Sequence, residues 1–509
     1  MAGNRKARSL ACWLSCALLA GLATAQSAED FAGEWMGSFG PLRLEARGET
    51  LSGSSGWDGG TKLSGAVEDG TAALEWKSAD AAGTVRFVRW SKAEILSGSY
   101  TSKQGGEGRW GAYRKRAQKL VPEPGEVREG QTTSGLRSYL RVPKRYVPAK
   151  MKDAILIFHG SNMSARAYVD TLVGAFPALA EDFVIVGLDG EQIAAGEKDG
   201  DFVFNYSYVN FAGPEVGPLF AQNQSPALVA AALQELTQDL GIERWFVGGH
   251  SQGGFLTYAV ALFYPQLVAG AFPVSGNLLV QCEPDAFRDA QLIAAQRALP
   301  FAIVHGENDG IVEFSAATYS LDRFDDGGFP AVRLFADPHA AHMFARLPIE
   351  PAVRWLAAQS SPDPQVLAEL AKAELQAERP RTASAAALRA QALKAKGAAL
   401  AASQSVLKQL EKLAASEQKT LKKAMQVNAD GSWVDAFLSY RSRFALLPSS
   451  KALLERHAEL RKAQEKQGEK LFYAARGAGS DAQRKELQQQ LLRTCYATKW
   501  YPLVRSWQK

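Results

Sequence analysis

Trp245-Phe-Val-Gly-Gly-His-Ser-Gln-Gly-Gly254 is the stretch on which the fold turns. It closes a short apolar run, passes through Gly-x-Ser-x-Gly, and opens a second apolar run at Phe255. The first run has the length of a strand and the second that of a helix, so the serine sits at a strand-to-helix corner. Such a corner lifts a hydroxyl clear of the chain, and Gly249 and Gly253 remove the Cβ atoms that would collide there. Ser251 is therefore the candidate nucleophile. The alternative is a glycine-rich turn with no chemistry.

On both sides of this corner, from about residue 130 to 359, apolar strands alternate with helical segments. Strands are predicted at 136–142, 154–158, 183–187, 245–248, 268–274, 301–304 and 332–335, and helices at 226–240, 255–263, 286–299, 316–324 and 350–358. This alternation means an α/β fold, a doubly wound, mostly parallel sheet covered on both faces. Phe301-Ala-Ile-Val-His-Gly-Glu-Asn-Asp309 reads as a buried strand followed by a turn with an acid at its tip. Strand 332–335 runs into Asp337-Pro-His-Ala-Ala-His342. Nucleophile, acid and histidine thus follow successive strands, each at the C-terminal end, where they can converge over one sheet edge. From the residues alone, Glu307 and Asp337 compete with Asp309, and His339 competes with His342.

Taken together, the Gly249-His-Ser-Gln-Gly-Gly254 elbow, the His305-Gly-Glu-Asn-Asp309 turn and the late histidine resemble the α/β-hydrolase superfamily of serine hydrolases. They are most similar to its phospholipase/carboxylesterase and dienelactone-hydrolase-like branch, and similar elbows occur in feruloyl-esterase and polyhydroxybutyrate-depolymerase-like enzymes. The resemblance covers residues 130–359 and leaves both flanks unexplained. It implies Ser251 as nucleophile, His342 as general base and Asp309 as the acid that orients the base. It also implies an oxyanion hole made by the backbone N–H of Gln252 and a second donor after Ile155-Leu-Ile-Phe-His-Gly-Ser-Asn162, at Ser161 or Asn162. The extended His-Gly-Gly-Gly form of that loop is absent. His250 and His305 fit as packing or hydrogen-bonding residues beside the turns.

The implied chemistry is hydrolysis of a small-molecule or polymer-borne carboxylic ester through an acyl-enzyme, with no cofactor. His339-x-x-His342 has metal-ligand spacing but lacks the matching carboxylate and histidine set. Phe202, Phe204, Tyr206 and Tyr208 alternate along one face of an extended segment, as either an aromatic wall over the substrate pocket or the packing face of a long insertion. A peptidase of prolyl-oligopeptidase type shares the fold and triad order, but the N-terminal region is too small for that family's propeller. A non-catalytic envelope-binding scaffold with a hydrolase core is the rival from another class, suggested by the two flanks.

The N-terminus has the form of a secretory signal. Arg5, Lys6 and Arg8 make a basic start, Leu10 to Leu22 an apolar stretch, and Ala23-Thr24-Ala25 a cleavage site before Gln26. The mature protein is expected in the periplasm or outside the cell, with Cys282 and Cys495 as its remaining cysteines. Residues 27–117 read as a small all-β meander or barrel: alternating runs are broken by Asp58-Gly59-Gly60 and Asp69-Gly70, and Leu-Ser-Gly recurs at Leu51, Leu63 and Leu96. Trp35 and Trp110, near its ends, are expected inside as the first and last strands close. Pro122-Glu-Pro-Gly125 marks a linker over 118–129.

Residues 360–509 are an all-α region, in which Leu393, Leu400, Leu407, Ala414 and Leu421 recur every seven residues, with Leu410 and Met425 beside that stripe. After Asn428-Ala-Asp-Gly431, the residues Trp433, Phe437, Tyr440 and Phe444 share a helical face. With 46% hydrophobic residues in a chain of 509, the composition sustains real cores and excludes global disorder. From Ser361 onward there are 26 Lys+Arg against 14 Asp+Glu, so this region carries 26 − 14 = +12 of a total of +5. The two signs interleave as on a solvated helical face, so no nucleic-acid partner is expected, and an envelope or protein partner through the flanks remains open.

Overall fold

The structure, a computed structural model, describes residues 26–56, 59–90, 94–103, 107–115, 123–147, 150–195, 202–206, 225–278, 296–427, 433–495, 498 and 504. Two compact units emerge from the contacts, Met1–Ala117 with Gly190–Asn223, and Gln118–Asp189 with Gln224–Lys509. The expected signal segment, Cys282 and Tyr208 lie outside the described residues, as do 428–431 and most of the helix predicted at 286–299.

In the first unit a short helix, α1 (Ala28–Phe31), precedes eight antiparallel strands: β1 (Gly33–Gly37), β2 (Gly40–Arg47), β3 (Thr50–Ser55), β4 (Thr61–Glu68), β5 (Thr71–Lys77), β6 (Ala82–Trp90), β7 (Ile95–Ser102) and β8 (Glu107–Arg114). They form a closed up-and-down barrel, with β1 pairing β8 in the register Trp35↔Arg114 and Gly37↔Ala112. Strand alternation sends Trp35, Trp76, Phe87 and Trp110 inward, where they are fully buried with Phe31 of α1. Each Leu-Ser-Gly has one use here. The leucine points inward, the serine does not, and the glycine two residues on returns to the inner face. A Cβ on Gly53 or Gly65 would stand 1.9 or 2.0 Å from a carbonyl oxygen of the next strand, so the wall closes most tightly where no side chain intervenes.

Outside the barrel, Met36, Ile95 and Tyr113 are buried as well, because a hairpin covers them. That hairpin consists of β13 (Gln192–Ala195) and β14 (Phe202–Asn205), which lie far along the chain but belong to this unit. Ile193 and Phe204 complete the cluster, Phe202 packs beside it, and the Ile193 N–H reaches Ser38 Oγ at 3.4 Å.

The second unit holds an eight-stranded sheet: β9 (Val127–Gln131), β10 (Arg137–Arg141), β11 (Asp153–Phe158), β12 (Val184–Leu188), β15 (Arg244–His250), β16 (Gly270–Val274), β17 (Phe301–Gly306) and β18 (Val332–Asp337). Their spatial order is β18-β17-β16-β15-β11-β12-β10-β9, parallel from β18 to β12 and antiparallel at the β10 and β9 edge. The swap of β11 and β12 in that order makes a topological switch, beside which β15 delivers the elbow. β9 begins within the expected linker. Val-Arg-Glu-Gly-Gln is too polar to read as a strand, and it pairs only at the sheet edge, where most of it meets water.

Helices α2 (Ala165–Ala175), α3 (Pro177–Asp182), α4 (Ser225–Leu240), α5 (Gln252–Phe263), α6 (Ser315–Asp326) and α7 (Ile349–Gln359) lie between or after these strands. The chain continues into α8 (Pro364–Gln376), α9 (Pro380–Ala392), α10 (Gly397–Val427), α11 (Val434–Phe444), α12 (Lys451–Arg476) and α13 (Asp481–Thr494). Buried polar pairs join α8 and α9 to the sheet region. Arg381 binds the Asp325 carboxylate and the carbonyl oxygens of Phe329 and Pro330, and Glu374 takes Arg333 at 2.8 Å and the Thr382 hydroxyl.

The heptad stripe is only partly one element. Leu393 is the exposed C-cap of α9, whereas Leu410, Ala414 and Leu421 of α10 are buried against Trp433, Phe437, Tyr440 and Phe444. The stripe is thus satisfied inside the chain's own bundle. Among the described residues no helix is long and apolar enough to cross a membrane.

Candidate active site

β15 ends at His250 and α5 begins at Gln252, leaving Ser251 alone at the corner with φ 55° and ψ −118°. This conformation is strained for a residue with a side chain, of order 1–3 kcal/mol, and persists because its surroundings determine it. The Ser251 N–H donates to Val274 O at 3.0 Å, and α5 behind it is buried along almost its whole length. The flanking glycines answer to crowding from β11. A Cβ on Gly253 would lie 2.6 Å from the carbonyl oxygens of both Phe158 and His159.

The candidate acid, Asp309, stands on the turn after β17. Asp309 is buried, and its Oδ1 accepts the N–H groups of Ile311 and Val312 at 3.0 and 2.9 Å. Its Oδ2 lies 2.7 Å from His342 Nδ1 and 3.6 Å from His305 Nε2. Burial alone would raise this carboxyl. The hydrogen bonds from His342, Val312 and Ile311 outweigh it and hold Asp309 below the usual carboxylate range. The two loops are laced together, with the Asn308 N–H on Ala340 O and the Asn308 side-chain amide on Pro338 O.

The competing residues are placed elsewhere. Glu307 and His339 are exposed, and Asp337 accepts the N–H groups of His339 and Ala340 to shape its own loop. His342 is brought to the elbow by a ring contact: its centroid lies 4.4 Å from that of His250, the residue before Ser251. Phe344 closes the other side, 5.8 Å from His250 and 5.1 Å from Tyr168.

The loop after β11 starts with His159, which is fully buried with its Nδ1 2.7 Å from Gly160 O. Burial lowers its pKa to about 4, so it is neutral. Ser161 and Asn162 follow, both exposed, and Asn162 has φ 58°. Gln252 is buried at the first turn of α5, and the N-terminal end of a helix favours negative charge. Asp189, at the end of β12, caps α2 by accepting the Ala165 N–H at 2.6 Å, and burial lifts its carboxyl to about 6 against the pull of Arg137. Asn162, Ser251 and Ser275 are non-glycine residues with positive φ, and each follows one of the strands β11, β15 and β16. Three of the seven described non-glycine residues with positive φ thus stand at this one sheet edge.

The aromatic segment needs a correction. Phe202 and Phe204 pack against Trp90, Met36, Ile95 and Tyr113 of the barrel unit, and Tyr206 is buried. The alternation that suggested a pocket wall is the packing face of a β-hairpin. Among the described residues no group of three His, Cys, Asp or Glu side chains has the arrangement of a metal site. Tyr168 and Asp189 are not legible in the sequence, because each makes a contact distant in the chain and neither stands in a motif.

Strand order, elbow and the acid and histidine turns together decide the fold. It is that of an α/β-hydrolase. Residues 221–324 of this chain match the phospholipase/carboxylesterase family, over the elbow, its helix and the turn that carries Asp309. No curated protein matches the chain. Among solved structures, esterase PE8 is 16% identical, with 44% of this chain and 96% of that one covered and a TM-score of 0.33. Acyl-protein thioesterase 2 of Zea mays is 17% identical, with 44% and 99% covered and a TM-score of 0.34. Acetyl xylan esterase from Aspergillus awamori is 13% identical, with 46% and 99% covered and a TM-score of 0.32. These likenesses are slight, and the fold rests on the strand order.

Proposed function

We propose that the protein is a serine hydrolase of carboxylic esters in which Ser251, His342 and Asp309 act as nucleophile, general base and orienting acid. The observation that carries this reading is the 2.7 Å contact of Asp309 Oδ2 with His342 Nδ1, made beside a serine held at a strained elbow. With Nδ1–H donated to a carboxylate, the imidazole presents Nε2 as a base. Nε2 takes the Ser251 hydroxyl proton as Oγ bonds to the ester carbonyl carbon. The tetrahedral oxyanion is met by the backbone N–H of Gln252 and a donor from the Ser161-Asn162 segment. The carbon–oxygen bond to the alcohol then breaks, and His342 returns the proton to the leaving oxygen. Water, deprotonated by the same histidine, releases the acid and restores Ser251.

The N–H groups on the other oxygen of Asp309 support its role, since against burial they keep it ionised while His342 gains charge. The signal-like residues 1–25 support a site of action in the periplasm or outside the cell, on small or polymer-borne esters. A fluorophosphonate probe tests the reading: the wild type should be labelled, should release p-nitrophenol from short acyl esters, and should lose both properties in Ser251→Ala. Labelling that survives in Ser251→Ala overturns it.

A further inference from the structure

The ring that touches the base is itself held by a tyrosine. Tyr168, on the first turn of α2, places its hydroxyl 2.7 Å from His250 Nδ1. The Gly160 backbone N–H meets the same tyrosine oxygen, so the hydroxyl proton is left for the imidazole. A Cβ on Gly160 would come within 2.9 Å of the Tyr168 oxygen and 3.6 Å of His250 Nδ1, so loop, tyrosine and histidine are in direct contact. With Nδ1 accepting, His250 carries its one proton on Nε2, a buried atom with no hydrogen-bond partner among the described residues.

We propose that Tyr168 and His250 are positioning residues for the hydrolysis: the tyrosine fixes His250 as the neutral Nε2–H tautomer, and His250 then backs the His342 ring so that His342 alone takes up the transferred proton. This rests on the triad reading given above. Its physical core is charge repulsion. Two imidazolium rings with centroids 4.4 Å apart would oppose one another, so the ring beside the base must stay uncharged while the base is protonated. The groups that face His250 are Tyr168 from α2, His342 from the loop after β18, His305 from β17 and Asp309 from the turn that follows it. Burial is the leading cause of its lowered pKa, at about 3, with His342 and His305 pushing the same way and Asp309 opposing. The Tyr168 proton on Nδ1 occupies the site at which a second proton would bind. Through Gly160, the same hydroxyl ties the loop expected to supply an oxyanion donor to the ring that packs on the base.

The acid limb of kcat/KM for a p-nitrophenyl ester, measured alongside the rate of fluorophosphonate labelling, tests this. Wild type should lose activity with the uptake of one proton. Tyr168→Phe frees Nδ1, so that His250 competes with His342 for that proton; the limb should stay at one proton, because the rings oppose a second charge, and move to higher pH, with kcat down about tenfold and KM within about twofold. Adding His250→Phe to that variant should return the limb to its wild-type position, which a merely structural tyrosine would not do. A wild-type limb and rate in Tyr168→Phe, or a displaced limb in the double variant, overturns the proposal.

Should Tyr168→Phe fail to fold, histidine-selective nitrogen NMR of the wild type gives a second test, with His250 assigned by its loss in His250→Phe. The ring should show an unprotonated Nδ1 and no titration between pH 5 and 8. A protonated Nδ1, or titration in that range, is the contrary result. Absence of turnover and labelling in the wild type would instead count against the triad.

Discussion

Asp309 shows how much can rest on one carboxylate. Its two oxygens are matched to four neighbours, and Asp309→Asn keeps the shape while offering His342 Nδ1 an amide in place of a charge. The variant should lower kcat by about 10³- to 10⁴-fold with little change in fold, checked by steady-state kinetics and circular dichroism. Because the folded pKa lies below the unfolded one, the ionised group stabilises the native state above about pH 4, and this contribution is lost as the pH falls through the lowered value. The stability gap between wild type and variant should therefore narrow as the pH falls below about 4. Ser251 was legible because its requirement is local, two glycines and a strand-to-helix change within ten residues. His342 and Asp309 were legible as residues following strands, yet choosing them over His339, Asp337 and Glu307 needed a family likeness. Tyr168 was invisible, since its partner lies 82 residues away.

At the scale of elements, apolar strands were easy to read and polar ones were not. β11, β12, β15, β16, β17 and β18 are rich in apolar residues because both faces of a parallel sheet are covered, and their predicted bounds fall within two residues at most ends. β9 was read as linker because an edge strand needs few apolar side chains. The Leu-Ser-Gly repeat was visible as a pattern without a cause, and the cause is curvature. Gly65→Ala puts a Cβ 2.0 Å from Ala73 O, a backbone atom that cannot move alone. The substitution should destabilise the barrel by about 1–3 kcal/mol, read as a lower urea midpoint of tryptophan emission. An unchanged midpoint would mean that the wall is not tight at this position.

At the scale of the molecule, the helical region is fastened to the α/β region by buried charge. Arg381 is buried at the start of α9 with Asp325 and two backbone carbonyls, so Arg381→Ala leaves a buried carboxylate unpaired. A loss of about 3–5 kcal/mol is expected in urea unfolding of the full chain, and Arg381→Lys should recover only part of it, lacking the guanidinium's fork of donors. Equal midpoints for wild type and alanine variant would show that the helices are held by other contacts. The barrel unit has a different dependence, one of time. Its eight strands are complete by Arg114, yet the hairpin that covers Met36, Ile95 and Tyr113 ends only at Asn205. At about 5–20 residues per second of synthesis, these roughly 90 intervening residues leave a nascent barrel with a bare apolar flank for about 5 to 18 seconds. During that interval the ribosome-bound chain carries a sticky patch that its own later sequence must reach before a chaperone or another chain does.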